Sequence, residues 1–186
     1  TFALLALYAH SGFKAVELDC GRLLTVGDYK FNFMLLIDSY SVSFQVLIGI
    51  LTGLVLMFSR RYMHREDGYL RFFATLFLFV TGISLVAMAA TIDILFAGWE
   101  IVGISSFLLI GFYRMRLQPG RNSLRTYAIY RVCDVGLFMG AWLFHKLGSE
   151  YFFLQYHDQA LDAVFVSLNY EFFTAIGLLT VLAAMG

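Results

Sequence analysis

Residues 92–113 read IDILFAGWEIVGISSFLLIGFY, an almost unbroken apolar run with Glu100 near its middle. A helix crossing a hydrocarbon core needs roughly 20 mostly apolar residues, which this run supplies. A carboxylate at such a depth costs about 2.5 kcal/mol or more, so it calls for a partner, a proton or water. The run therefore predicts a membrane-spanning helix with an ionisable group inside it. The rest of the chain has to explain what Glu100 faces.

Composition agrees with that class. Of 186 residues, 60% are hydrophobic and 14% charged, with 20 Phe, 11 Tyr and a mean hydropathy of +0.77. A soluble domain is roughly half apolar and a quarter charged, so the chain reads as a polytopic membrane protein whose first partner is the lipid bilayer. The formal net charge is zero and no basic patch with nucleic-acid spacing occurs, so nucleic acid is not an expected partner. Cys20 and Cys133 fall at different depths, without metal-type spacing, and read as two free thiols. No charged leader precedes the first apolar residues, and both ends stop within apolar runs. The expectation is a truncated piece of a longer chain.

Outward from 92–113, the fold class is an all-α transmembrane bundle of about five spans, with a partial first helix and a short extramembrane β-hairpin. Residues 1–12 read as the end of a first helix. Residues 13–38 alternate in strand-like pieces around Cys20-Gly21 and Gly27-Asp28, the signature of a hairpin in an outer loop. Spans follow at 41–59, 69–90, 92–113, 123–145 and 168–186. They are separated by the charged loop RRYMHREDG at 60–68, a polar loop at 114–122 with the chain's only proline, and a longer connection at 146–167. Within that connection FFLQYHDQALDA, residues 152–163, reads as a short interfacial amphipathic helix. Arg60, Arg61, Arg65, Arg71, Arg114, Arg116, Arg121 and Arg125 cluster on one face of the alternating spans, which the positive-inside rule assigns to the cytoplasm or the matrix. The hairpin then lies outside.

Three ionisable residues fall in the middle third of the membrane. Glu100 is about 12 Å from the outer end of its helix, while Arg131 and Asp134 are about 12 and 16 Å from the inner end of theirs. Arg131 and Asp134 are three residues apart and can pair on their own helix, which would make them a self-neutralising scaffold. Nothing on the Glu100 helix can neutralise Glu100, and Asp93, seven residues earlier on the same face, is a second acid. Ser123, Tyr127, Tyr130, Arg131 and Asp134 form a polar stripe that His145 continues. Gly98, Gly103, Ser105 and Ser106 are small enough for close helix packing. A polar stripe leading to a buried carboxylate is what a proton path requires, since it holds water beside an acid whose pKa its neighbours can move. The plainer reading is a packing face with interfacial tyrosines. Glu100, Arg131 and Asp134 are the principal candidates, with Asp93, Tyr127, Tyr130 and His145 as accessories. His10, His64 and His157 read as ordinary interfacial residues.

GWEIVGISSFLLIGFY at 98–113, RVCDVGLF at 131–138, IDSYS at 37–41 and the Tyr62-Met63…Gly68-Tyr69…Arg71-Phe72-Phe73 loop together resemble the antiporter-like subunit 5 of respiratory complex I, subunit L in bacteria. Related proteins are the large subunit of multisubunit cation/proton antiporters and subunits of membrane hydrogenases and inorganic-carbon uptake complexes. The resemblance implies a proton-translocating membrane subunit with Glu100 central and Arg131 and Asp134 as buried charges on the route. It also implies a lysine in the next helix, one residue past Gly186. Its setting would be the bacterial plasma membrane or the mitochondrial inner membrane, among other membrane subunits of the assembly. The chain has no dinucleotide, flavin or iron–sulfur motif, so no cofactor is expected in it. NADH, flavin, iron–sulfur clusters and quinone would belong to partner subunits. Cys133 where the family has Gly, Thr91 where it has Asn, and Asp93 where it has an apolar residue leave the subfamily open. The alternatives are an antiporter, carbon-uptake or hydrogenase subunit and a structural scaffold.

Overall fold

The computed structural model of the chain describes residues 2–12, 14–26, 29–66, 68–113, 117–146 and 170–185. The order is helix α1 (Phe2–His10), strands β1 (Val16–Val26) and β2 (Tyr29–Ile37), then helices α2 (Ser39–Tyr62), α3 (Tyr69–Ala87), α4 (Ile92–Ile110), α5 (Leu117–Lys146) and α6 (Tyr170–Ala184). From α2 onward, each helix packs on the one before it in the chain. The interfacial helix expected at 152–163 lies outside the described residues.

The hairpin forms where the strand-like pieces were read. β1 and β2 pair antiparallel from Val16↔Ile37 to Val26↔Tyr29, with irregular register between Asp19 and Leu24. That irregularity has a local cause. Gly21 sits at φ +97°, and its N–H donates to Asp19 Oδ1 at 2.8 Å, an Asx-type kink that Gly tolerates and a branched residue would not. The hairpin is tied down through β2. Leu36 N–H donates to Met88 O at 2.9 Å and Ala90 N–H to Met34 O at 3.3 Å, so the short link between α3 and α4 runs beside β2. Ile37, Tyr8, Val42 and Met88 close a small core there, and Tyr8 Oη lies 2.6 Å from Ser39 Oγ. The hairpin thus fixes one end of the bundle, the end that holds the N-termini of α2 and α4 and the C-terminus of α3.

Helix α2 starts where its capping chemistry dictates. Ser41 N–H donates to Asp38 Oδ1 and Asp38 N–H to Ser41 Oγ, both at 2.7 Å, a reciprocal box that satisfies two otherwise orphaned donors. Its burial is inverted relative to a soluble helix. Ser41, Gln45 and Ser59 are buried, whereas Phe44, Leu47, Ile50, Leu54, Met57 and Phe58 are exposed. In water that exposure would be an aggregation liability. In lipid it is the favourable side, and small or polar residues make the helix contacts instead. Gln45 Nε2 accordingly donates to Ser84 O on α3 at 3.2 Å.

Three helices, α2, α3 and α4, are long and apolar enough to cross a membrane. Helix α5 has the length, 30 residues, but carries Arg121, Arg125, Arg131 and Asp134, and described α6 has 15 residues. Five spans were expected from the sequence; three meet the criteria of length and composition among the described residues. Helix limits also differ. The 69–90 and 92–113 runs end as helix at Ala87 and Ile110, because residues 88–90 are drawn into extended pairing with β2 and Gly111 caps α4. Helix α5 begins at Leu117, six residues before the expected start. Pro119 falls in its first turn, where a missing N–H costs nothing.

Candidate functional site: the α4–α5 interface

The site is held from behind by α3. A methyl group built on Gly98 would lie 2.9 Å from Val86 N and 3.0 Å from Gly82 O, and one on Gly82 2.9 Å from Val102 N. The α3 and α4 backbones therefore approach as closely as glycine allows, which fixes the rotation of α4 about its axis. Gly103, expected to help this packing, faces open space. Ser105 is fully buried but satisfied by its own helix, donating to Ile101 O at 2.6 Å. At the far end Arg71 Nη2–H donates to Phe112 O at 3.0 Å and its guanidinium lies 5.1 Å from the Phe112 ring, so a cation closes the carbonyl end of α4.

With α4 so rotated, Asp93, Phe96, Glu100 and Phe107 face α5, and the antiparallel α5 answers with His145, Phe138, Arg131 and Tyr127. The result is a ladder of four rungs. The Phe107 and Tyr127 rings are 5.0 Å apart. Arg131 Nη1 is 2.6 Å from Glu100 Oε2. Phe96 and Phe138 rings are 5.8 Å apart, and His145 Nε2 is 2.8 Å from Asp93 Oδ1. Arg131 also lies 5.0 Å from the Tyr127 ring, a cation–π contact that holds the guanidinium toward the middle of the interface.

The structure thus answers what Glu100 faces: a cation from the next helix. The expected pairing of Arg131 with Asp134 along α5 is secondary, at 3.9 Å against 2.6 Å to Glu100. Asp134, buried, instead accepts a 2.9 Å hydrogen bond from Trp99 Nε1–H. Trp99 was missed as a site residue. Its signal was present, since a buried indole N–H needs an acceptor and it adjoins Glu100. Asp93, read only as an extra acid, and His145, read as the end of a stripe, form the fourth rung together. Tyr127 joins the ladder; Tyr130 makes no hydrogen bond among the described residues. Both cysteines are free, and no cluster of metal-ligating residues occurs among the described residues. The interface gathers two carboxyl groups and an imidazole–carboxylate couple, groups of the kinds that bind and release protons, around a guanidinium that stays charged. They offer no redox group and no nucleophile activated by a base.

The geometry defines a class: an integral membrane helical protein with ionisable residues where a candidate span, α4, packs on the next helix. Two family descriptions match the chain, "NADH-Ubiquinone oxidoreductase (complex I), chain 5 N-terminus" over residues 23–73 and "NADH:quinone oxidoreductase/Mrp antiporter, TM" over residues 89–186. The chain belongs to the complex I subunit 5/subunit L family, in its N-terminal region. Among relatives, it is 36% identical to NADH-quinone oxidoreductase subunit L of Pseudomonas aeruginosa, over 73% of this chain and 22% of the relative. It is 34% identical to the subunit L of Escherichia coli, over 68% and 21%, and 35% identical to NADH-ubiquinone oxidoreductase chain 5 of Mycosarcoma maydis, over 86% and 23%. The chain spans about a fifth to a quarter of the length of these relatives.

Proposed function

We propose that this chain is part of a proton-translocating membrane subunit of a respiratory NADH:quinone oxidoreductase, moving protons through Glu100, Arg131 and Asp134. The observation that carries the reading is the Glu100–Arg131 pair, 2.6 Å apart between α4, a candidate membrane span, and α5. The same guanidinium nitrogen lies 3.9 Å from Asp134 Oδ2, so one cation stands within reach of two acids, one on each helix. In the proposed cycle Arg131 moves between them as Glu100 gains and gives up a proton.

In this reading α5 and the last helix span the membrane as well, giving about five spans. The arginine-bearing loops face the cytoplasm or matrix, and the hairpin lies on the opposite side of the bacterial plasma membrane or mitochondrial inner membrane. NADH, flavin, iron–sulfur clusters and quinone sit in partner subunits of the assembly, and the names of the relatives favour such partners over those of a stand-alone antiporter. The test is Glu100→Gln in the intact complex, reconstituted in vesicles. Proton pumping should fall severely while assembly holds, because the substitution removes a charge and keeps the volume. Pumping at the wild-type rate would refute the reading.

A further inference from the structure

The fourth rung of the ladder is not used by the function above. Asp93 is the second residue of α4 and His145 the penultimate residue of α5, so the couple lies where both helices end, on the side of the bundle that carries the hairpin. Its side chains retain 18% and 22% of their exposure, so the couple is only partly covered by the described residues. On α4, Asp93, Phe96 and Glu100 follow at three- and four-residue spacing on one face, so the couple is about 10 Å along the axis from Glu100. The Phe96–Phe138 ring pair alone stands between them in the ladder. Among the described residues, the ionisable groups facing this interface are Asp93, Glu100, Tyr127, Arg131, Asp134 and His145.

We infer that Asp93 and His145 form a second proton-exchange station, which takes protons from Glu100 past the Phe96–Phe138 rings and releases them on the hairpin side. The inference rests on the proton-translocating reading of Glu100. The transfer balances as follows. The Glu100 O–H bond breaks and the carboxylate left behind pairs with Arg131. The proton crosses on water admitted when the two rings part and forms an N–H bond on neutral His145, giving imidazolium beside Asp93 carboxylate. Release of that proton to the aqueous phase restores neutral imidazole. An imidazole suits this step because its unperturbed pKa of about 6.5 allows both uptake and release near neutral pH.

The plain competitor is a clamp that merely joins the ends of α4 and α5. Asp93→Asn, His145→Phe, Asp93→Glu and the double variant Asp93→Leu/His145→Phe separate the two when placed in the intact complex and reconstituted in vesicles. Assembly, uncoupled electron transfer and protons pumped per electron are measured for each, with Glu100→Gln alongside. The station predicts assembled Asp93→Asn and His145→Phe complexes with uncoupled electron transfer retained and pumping lowered about tenfold or more. Asp93→Glu, which keeps an ionisable partner, should pump. If the single variants assemble poorly, the apolar double variant decides: assembly without pumping supports the station, and normal pumping reduces the couple to a clamp. Wild-type pumping by Asp93→Asn while Glu100→Gln is inactive overturns the station and leaves the function standing. Wild-type pumping by both overturns the function itself.

Discussion

Arg131 lies 2.6 Å from Glu100 on the neighbouring helix and 3.9 Å from Asp134 on its own. The guanidinium is therefore an interhelical tie first and an intrahelical one second. Asp134 tolerates the asymmetry because Trp99 Nε1–H donates to it, and Tyr127 supports the guanidinium from below. One cation is thus shared among three groups that each gain from it.

This arrangement decides which second substitution rescues the loss of Arg131. Removing Arg131 strands the Glu100 carboxylate more than that of Asp134, which keeps its indole donor. The cost should fall between the roughly 1 kcal/mol of an exposed pair and the about 3–5 kcal/mol of a fully buried one, since Arg131 retains 36% of its side-chain exposure. Arg131→Met should therefore impair assembly, and Arg131→Met/Glu100→Gln should restore it better than Arg131→Met/Asp134→Leu. Subunit content on native gels checks the order. Better rescue by the Asp134 substitution would return the pair to α5 alone.

Packing gives a second expectation. Gly98→Ala places a methyl carbon 2.9 Å from Val86 N and 3.0 Å from Gly82 O, both backbone atoms that cannot step aside. The helices must separate, at a cost of about 1–3 kcal/mol, and the ladder loses its register. Gly103→Ala meets nothing within 4 Å and should be neutral or gain up to about 1 kcal/mol in helix propensity. Thermal stability of the detergent-solubilised complex should fall for the first and hold for the second.

Topology can be tested with a cysteine already present. Cys20 is exposed on β1, while His64 is exposed in the loop after α2, at the opposite end of the bundle. In oriented membranes an impermeant maleimide should reach Cys20 from the outer side. In a Cys20→Ser background it should reach a His64→Cys thiol only from the cytoplasmic or matrix side. Labelling of both from one side would overturn the orientation drawn from the arginine loops.

Much of this protein was legible in the sequence because the signals are local. Apolar runs of about 20 residues mark spans whatever they pack against, and the Asp38–Ser41 cap and the strand-like alternation before it fix their elements within a few residues. Residue spacing also put Asp93 and Glu100 on one face of α4, and Tyr127, Arg131 and Asp134 on one face of α5. What spacing could not give is which face meets which. That depends on the rotation and offset of two helices, set here by the contact of Gly82 with Gly98, on α4's far side from α5. A long arginine side chain spans several ångströms, so spacing offered only the intrahelical pairing with Asp134, and the interhelical pairing with Glu100 emerged when the helices were placed. The same placement turned Asp93 from a second unpaired acid into the partner of His145, 52 residues away in the chain, and gave Asp134 an indole donor from a residue 35 positions earlier. Sequence determined the class, the apolar runs that became α2, α3 and α4, and which charges share a helix face. Only the tertiary structure decided the partners, because pairing energy depends on distances between helices that no local pattern encodes.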